Sequence, residues 1–501
     1  MILMDNLLDA DAGSVSGLAE LKRKSFSGIG ALLKRQAAIK LVSFLANIAL
    51  ARLLVPQVFG VYAIVLFVVQ FFSTFGDVGI GAALIQKKGE LTREELSSTF
   101  WLQQMLVWCV VCVAFAAAPF ILRFYPALPS YGVWLIRAMA VSFALTSLKT
   151  IPAILMERKL DFQRIALVDI TETVVFYTAA IVLAVAGFEV WSFIIAALLR
   201  SLAGTALIYA LSGWVPSFKF VPASVRELVR FGLPYQGNSI LGFVKDAVTP
   251  LFVGMYCGAA AVGFVNWART FAFTPLVLSE VFGRVAFPAF SRIQGDRKLL
   301  TRAIERSIHS ITLVMFPVTC LMIALGPEII HVLFTDKWLP GLRAYYFYCT
   351  SPLVIGVLVP MYSAILSLGK SGIILKMMVA LLVLEWGLGV PFVLLFGFNG
   401  IAFSQPIIAV PFYFVYRRVL SGENVHIFLI RNVKWQFISA AVTGLLCKLV
   451  TLHIYTTLIT LPAVFCVGLL VYAGMMSVLD KKVFGEFIGQ LRKLANGVGA
   501  S

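Results

Sequence analysis

The sequence predicts an all-α polytopic membrane protein of about 14 transmembrane helices. They form two six-helix lobes related by a parallel internal repeat, plus a C-terminal helix pair. Three observations predict this. Of 501 residues, 60% are hydrophobic and only 13% charged, where a soluble domain carries about 25% charged residues. Apolar runs of about 20 residues, the length that spans hydrocarbon, recur along the chain. Basic residues gather in alternate connections, so that 30 of the 41 Lys and Arg fall on one predicted side.

Residues 1–34 read as a cytosolic tail: acids precede the basic cluster, and the continuous apolar core of a signal peptide is missing. The N-lobe covers 35–211, with segments near 36–55, 58–86, 99–120, 132–155, 165–187 and 189–211. A cytosolic linker, 212–231, leads to the C-lobe, 232–417. Its segments lie near 232–255, 264–290, 307–326, 344–367, 373–396 and 398–417. The final pair, within 435–479, lies near 435–453 and 455–479 and ends in a basic cytosolic tail, 480–501. An even helix count with this alternation of charge places both termini in the cytosol. The net charge of +17 then records orientation in a bilayer rather than a nucleic-acid partner.

The repeat is read from order rather than identity. Setting Gly60 of "VPQVFGVYAIV" on Gly263 of "GAAAVGFVNWA", an offset of 203, places Asp77 on Glu280 without a gap. Parallel repeats of this kind are built into many transporters.

Charges inside the apolar segments are the candidate site, because an ionised group at the bilayer centre costs about 2.5–3.5 kcal/mol even on insertion scales. Lys40 shares one helix face with Gln36 and Asn47, at spacings of four and seven. Lys245 follows Asn238 in the seventh segment and precedes Asp246, with which it need not pair, because neighbours diverge by about 100° on a helix. Arg269 follows Asn266 in the eighth. Lys40, Lys245 and Arg269 are expected to make a cationic cavity for an anionic headgroup, with the four amides as polar lining. Lys149, Arg200 and Lys448 are expected to extend their stems to the interface. Asp169 and Glu172 are expected to complement a helix N-terminus. Glu385 and Asp246 are candidates for ion coupling.

The stretch "FGDVGIGAALIQ" sets Gly76, Asp77, Gly79 and Gly81 in a segment of 30 residues, Gln57 to Gln86. That is about 45 Å as one helix, longer than the hydrocarbon, so a bend or gate is expected at Gly76–Gly81, with Gly283, Pro288 and Glu280 in the matching region. It is not a phosphate loop, since the spacing to a Gly-Lys-Ser/Thr end is missing. Cys109 and Cys112 have metal or redox spacing but are expected on a buried helix as small apolar residues. No cofactor, metal or catalytic motif is expected, and no connection is long enough to fold as a catalytic domain.

"ALARLLVPQVFGVYAIVLFVVQFF", "FGDVGIGAALIQ", "ILMERKLDFQRIA", "VRELVRFGLPY" and "VAFPAFSRIQGD" resemble polysaccharide-exporting members of the multidrug/oligosaccharidyl-lipid/polysaccharide flippase superfamily. The nearest likeness is to Wzx-type, colanic-acid-exporter-like flippases, from about residue 30 to 450. The resemblance implies a two-lobed transporter working by alternating access through a cationic central cavity. It implies an undecaprenyl-diphosphate-linked oligosaccharide as partner, moved across a bacterial inner membrane, and a polysaccharide polymerase and export machinery downstream. Trp267 and Tyr235 would then be available to stack on sugar faces. A lipid II-type flippase and a multidrug antiporter of the same superfamily stay open as alternatives, as does a membrane glycosyltransferase or ligase.

Overall fold

A helix lies in each of the predicted apolar segments, and their sequence explains where each one starts and stops. The computed structural model describes residues 39–76, 81, 84, 91–218, 240–481, 484, 485 and 489. Gln36, Asp77, Tyr235 and Asn238 lie outside these residues, as does the side chain of Glu280. Ten helices among the described residues are long and apolar enough to cross a membrane. The chain divides into two compact units, one running through Gly263 and the other from Phe264 onward.

In the first unit, helix α1 covers residues 39–53 and α2 Pro56–Gly76, opening on the proline whose fixed φ suits a first turn. Helix α3, Arg93–Phe124, begins with a capping box between Thr92 and Glu95. Helix α4, Gly132–Ser147, continues after a joint at Leu148–Lys149 into Thr150–Arg158. Helices α5 (Phe162–Val185) and α6 (Val190–Ser212) form a hairpin. Small residues of α6, Ala196, Ala197, Ser201 and Gly204, face its neighbours and let the backbones close in, which is how helices associate in lipid. Ser142 and Thr146 of α4 each bond the Ser201 hydroxyl, at 2.9 and 2.8 Å.

Segment α7, residues 240–256, winds as a π-helix over Val248–Val253, around Pro250, and packs against α2. Helix α8, Ala259–Ala272, crosses α2 at two glycines. A Cβ on Gly60 would lie 1.6 Å from the Ala259 carbonyl oxygen, and one on Gly263 would lie 2.0 Å from that of Pro56. The contact is reciprocal, because the 203-residue offset that carries Gly60 to Gly263 also carries Pro56 to Ala259.

The second unit begins within α8. Here the eighth apolar segment departs from the single helix expected. It breaks into α8 and α9 (Val277–Ile293) at a 3-10 turn over Thr274–Leu276, whereas α9 runs through both Gly283 and Pro288. Pro275 supplies the reason: it sits at the start of that turn, and a proline disfavours helix in the residue before it. Helices α10 (Arg297–Ala324), α11 (Leu342–Ser367), α12 (Ser371–Phe396) and α13 (Asn399–Gly422) complete the bundle. Its core joins Ile304, Ile308, Met361, Ile365, Phe412 and Leu420. Helices α14 (Leu429–His453) and α15 (Thr460–Leu479) dock on α10 through Leu313, Phe316, Ala440, Tyr472 and Met476.

Cys109 and Cys112 lie on the exposed surface of α3, not on a buried one. In a bilayer that surface meets hydrocarbon, which an apolar thiol tolerates as well as a protein core.

Candidate functional site

The described residues hold one carboxylate that gathers two intramembrane cations. Glu172 of α5 is 2% exposed, and its Oε1 pairs with the Lys149 Nζ at the joint of α4. Its Oε2 accepts from the Arg200 Nε of α6 at 3.4 Å. Gly204, one turn beyond Arg200, makes the room: a Cβ there would lie 1.8 Å from Oε1. These contacts correct two expectations. Lys149 and Arg200 do not simply reach for the interface. Arg200 lies ten residues into α6, about 15 Å from its start, beyond the reach of a side-chain stem. Glu172 does not complement a helix N-terminus, since α5 begins at Phe162, almost three turns earlier, and Asp161 is its cap.

Beside this cluster, the Arg200 guanidinium stands over the Phe176 ring, 6.0 Å from its centre. Tyr62 of α2 stacks on Phe193 at 4.6 Å and lies within electrostatic reach of both Arg200 and Tyr177. Asn47 of α1 donates to the Tyr177 hydroxyl at 3.1 Å and to the Ser43 carbonyl at 2.7 Å. Polar groups of α1, α2, α4, α5 and α6 therefore meet inside the first unit. Buried charges persist only when paired and hydrogen-bonded. One carboxylate against two cations leaves this group one positive charge in excess.

The other sequence-predicted residues are more scattered. Lys40 is exposed at the start of the described part of α1, while Asn47 on the same helix points to α5. Lys245 and Asp246 do pair, Nζ to Oδ1 at 2.9 Å, although adjacent on the chain. The long lysine stem bridges the angle between neighbouring positions, and the pair precedes the π-helical turn. Arg269, on α8 in the second unit, lies over the Phe273 ring at 5.7 Å, and Asn266 is half-buried. Gly76 ends α2 against Phe143 and Val107, so the expected bend beyond it lies outside the described residues.

Trp267 is not free to stack on a sugar. It is 6% exposed and packed among Phe271, Phe334, Trp338 and Tyr345. Lys448, five residues before the end of α14, pairs at 2.6 Å with Glu328 in the short connection after α10, and Thr451 bonds the same oxygen at 3.1 Å. Glu328 was invisible as a partner because it lies 120 residues away in a short turn. Glu385 of α12 accepts from the Gln405 Nε2 of α13 through both oxygens, at 3.2 and 3.0 Å.

The fold and its apolar helices define a class, the polytopic helical membrane protein. The structure superposes on the lipid II flippase MurJ in its inward closed conformation with a TM-score of 0.70, over 89% of this chain and 99% of that one, at 14% identity. It also superposes on an inward-facing multidrug resistance MATE family transporter of the MOP superfamily, TM-score 0.59, over 77% and 95% of the two chains at 16% identity. The chain belongs to the family described as polysaccharide biosynthesis protein, whose pattern matches residues 49–342. The succinoglycan biosynthesis transport protein ExoT of Rhizobium meliloti is 28% identical over 58% of this chain and 58% of its own length. The lipopolysaccharide biosynthesis protein WzxC of Escherichia coli is 25% identical over 65% and 66%. The matched part of the chain thus spans about three fifths to two thirds of these relatives.

Proposed function

We propose that this protein flips undecaprenyl-diphosphate-linked oligosaccharide repeat units from the cytosolic to the periplasmic leaflet of a bacterial inner membrane, with both termini cytosolic. The units feed a polysaccharide polymerase and export machinery. The observation that carries this reading is a family of polysaccharide biosynthesis proteins on a transporter fold, with cations fixed at membrane depth. Neither a diphosphate nor a sugar chain crosses hydrocarbon unaided, whereas basic groups replace part of the water around the diphosphate. The polyprenyl tail stays in lipid throughout. Alternate exposure to the two faces breaks no covalent bond, so the protein acts as a transporter and not an enzyme. Lys40 and Lys245, each within the first unit, and Arg269, within the second, are assigned to the headgroup. Asp246 and Glu385 are assigned to ion coupling.

Deletion followed by analysis of lipid-linked saccharides tests the reading. The repeat unit is expected to accumulate on the cytosolic leaflet, and unchanged export in a strain without a redundant flippase would overturn it. The likeness to MurJ favours one second reading, transport of lipid II. The same analysis separates the two, because peptidoglycan precursor would then accumulate instead.

A further inference from the structure

Arg200 makes two contacts in the first unit, its Nε to Glu172 and its face to Phe176, and its side chain is 51% exposed. Among the described residues, neither terminal nitrogen donates to a protein atom, so up to four N–H groups remain open. Their depth in α6 keeps them from bulk water at either end. Lys149 already neutralises Glu172, leaving the charge of Arg200 in excess. The Glu172 contact uses only Nε and fixes the guanidinium plane, while Gly204 leaves space for the carboxylate that holds it.

We propose that Arg200 is a contact residue for the diphosphate of a lipid-borne substrate, with Glu172 and Lys149 as positioning residues; this rests on the transport reading above. A planar guanidinium with its terminal nitrogens open presents parallel donors, the arrangement that grips phosphate oxygens bidentately, whereas lysine offers a point charge. Tyr62, within electrostatic reach of Arg200, and the Tyr177–Asn47 pair add polar groups from α1, α2 and α5 beside the headgroup. The carboxylate does not repel the anion, because its own charge is closed by Lys149.

The test measures binding of farnesyl diphosphate, farnesol and inorganic diphosphate to the purified full chain in detergent. Wild type is expected to bind farnesyl diphosphate at least about tenfold tighter than farnesol, the minimum for hydrogen bonds to a charged group. Arg200→Gln should lose that preference while farnesol affinity stays unchanged. It is expected to fold, since Glu172 keeps Lys149. Arg200→Lys, which keeps the charge and loses the fork, should fall several-fold and decides the matter should the glutamine variant not fold. Unchanged farnesyl diphosphate affinity in a folded variant would overturn the role of Arg200 alone. Tighter binding of inorganic diphosphate than of the lipid would overturn the lipid-borne assignment. Failure of wild type to bind either lipid would overturn this inference together with the transport reading.

Discussion

Removing the Glu172 carboxylate would leave Lys149 and Arg200 without their counter-charge inside the membrane. Glu172→Ala is expected to destabilise the protein by about 3–5 kcal/mol, the range for breaking one side of a buried pair. Thermal unfolding in detergent measures it, and Lys149→Met/Glu172→Leu in the same chain should recover part of the loss. Gly204→Ala should reproduce some of the defect with every charge intact, because its Cβ falls where Oε1 now lies. The sequence exposed these residues as charges in apolar runs but could not pair them. Lys149 and Glu172 are 23 positions apart, Arg200 and Glu172 28, and Lys448 and Glu328 120. Pairing at those distances is decided by packing, which no local spacing encodes. At Lys245 and Asp246, helical geometry left pairing open, and side-chain length permits the pair that forms.

Element by element, the structure carries strain and clamps that periodicity does not reveal. Thr335 has φ 76° and ψ 160°, between a π-helical turn, Ile330–Phe334, and a 3-10 turn, Asp336–Gly341. Only glycine adopts that region without cost, and Thr335→Gly should raise stability by about 1 kcal/mol in the same melt. Glu423, just past the end of α13, bonds Lys370 at 2.7 Å and Arg297 at 3.2 Å, drawing in the starts of α12 and α10. The Lys370 hydrogen bond and charge, with a smaller contribution from Arg297, hold its carboxyl below the ordinary range. A depressed folded pKa stabilises above the unfolded value and is lost as pH falls through it. Wild type should therefore lose its melting advantage over Glu423→Gln as pH drops from 7 to below about 4. Helix existence was legible from apolar length. The break at Thr274–Leu276 was displaced in expectation to Gly283 and Pro288, because a proline inside a long helix reads alike whether it bends or ends it.

For the whole molecule, composition gave membrane class, since little else accommodates so few charges in 501 residues, and the recurring apolar runs with alternating basic connections gave the helical fold. The site was legible only as a sign, positive within the bilayer. The variant Lys40→Ala/Lys245→Ala/Arg269→Ala is expected to fold and melt near wild type while export falls by at least about tenfold. Full export by that variant, read from surface polysaccharide, would remove these cations from the transport path. The crossing of α2 and α8 bears on which substitutions the molecule accepts. A contact in which each partner meets the other through equivalent atoms is what a two-fold homodimer possesses. Within one chain it binds Gly60 and Gly263, which are separate codons, by one steric constraint. A methyl group added to either excludes the helix bearing the other, so each glycine must be retained for the sake of its counterpart.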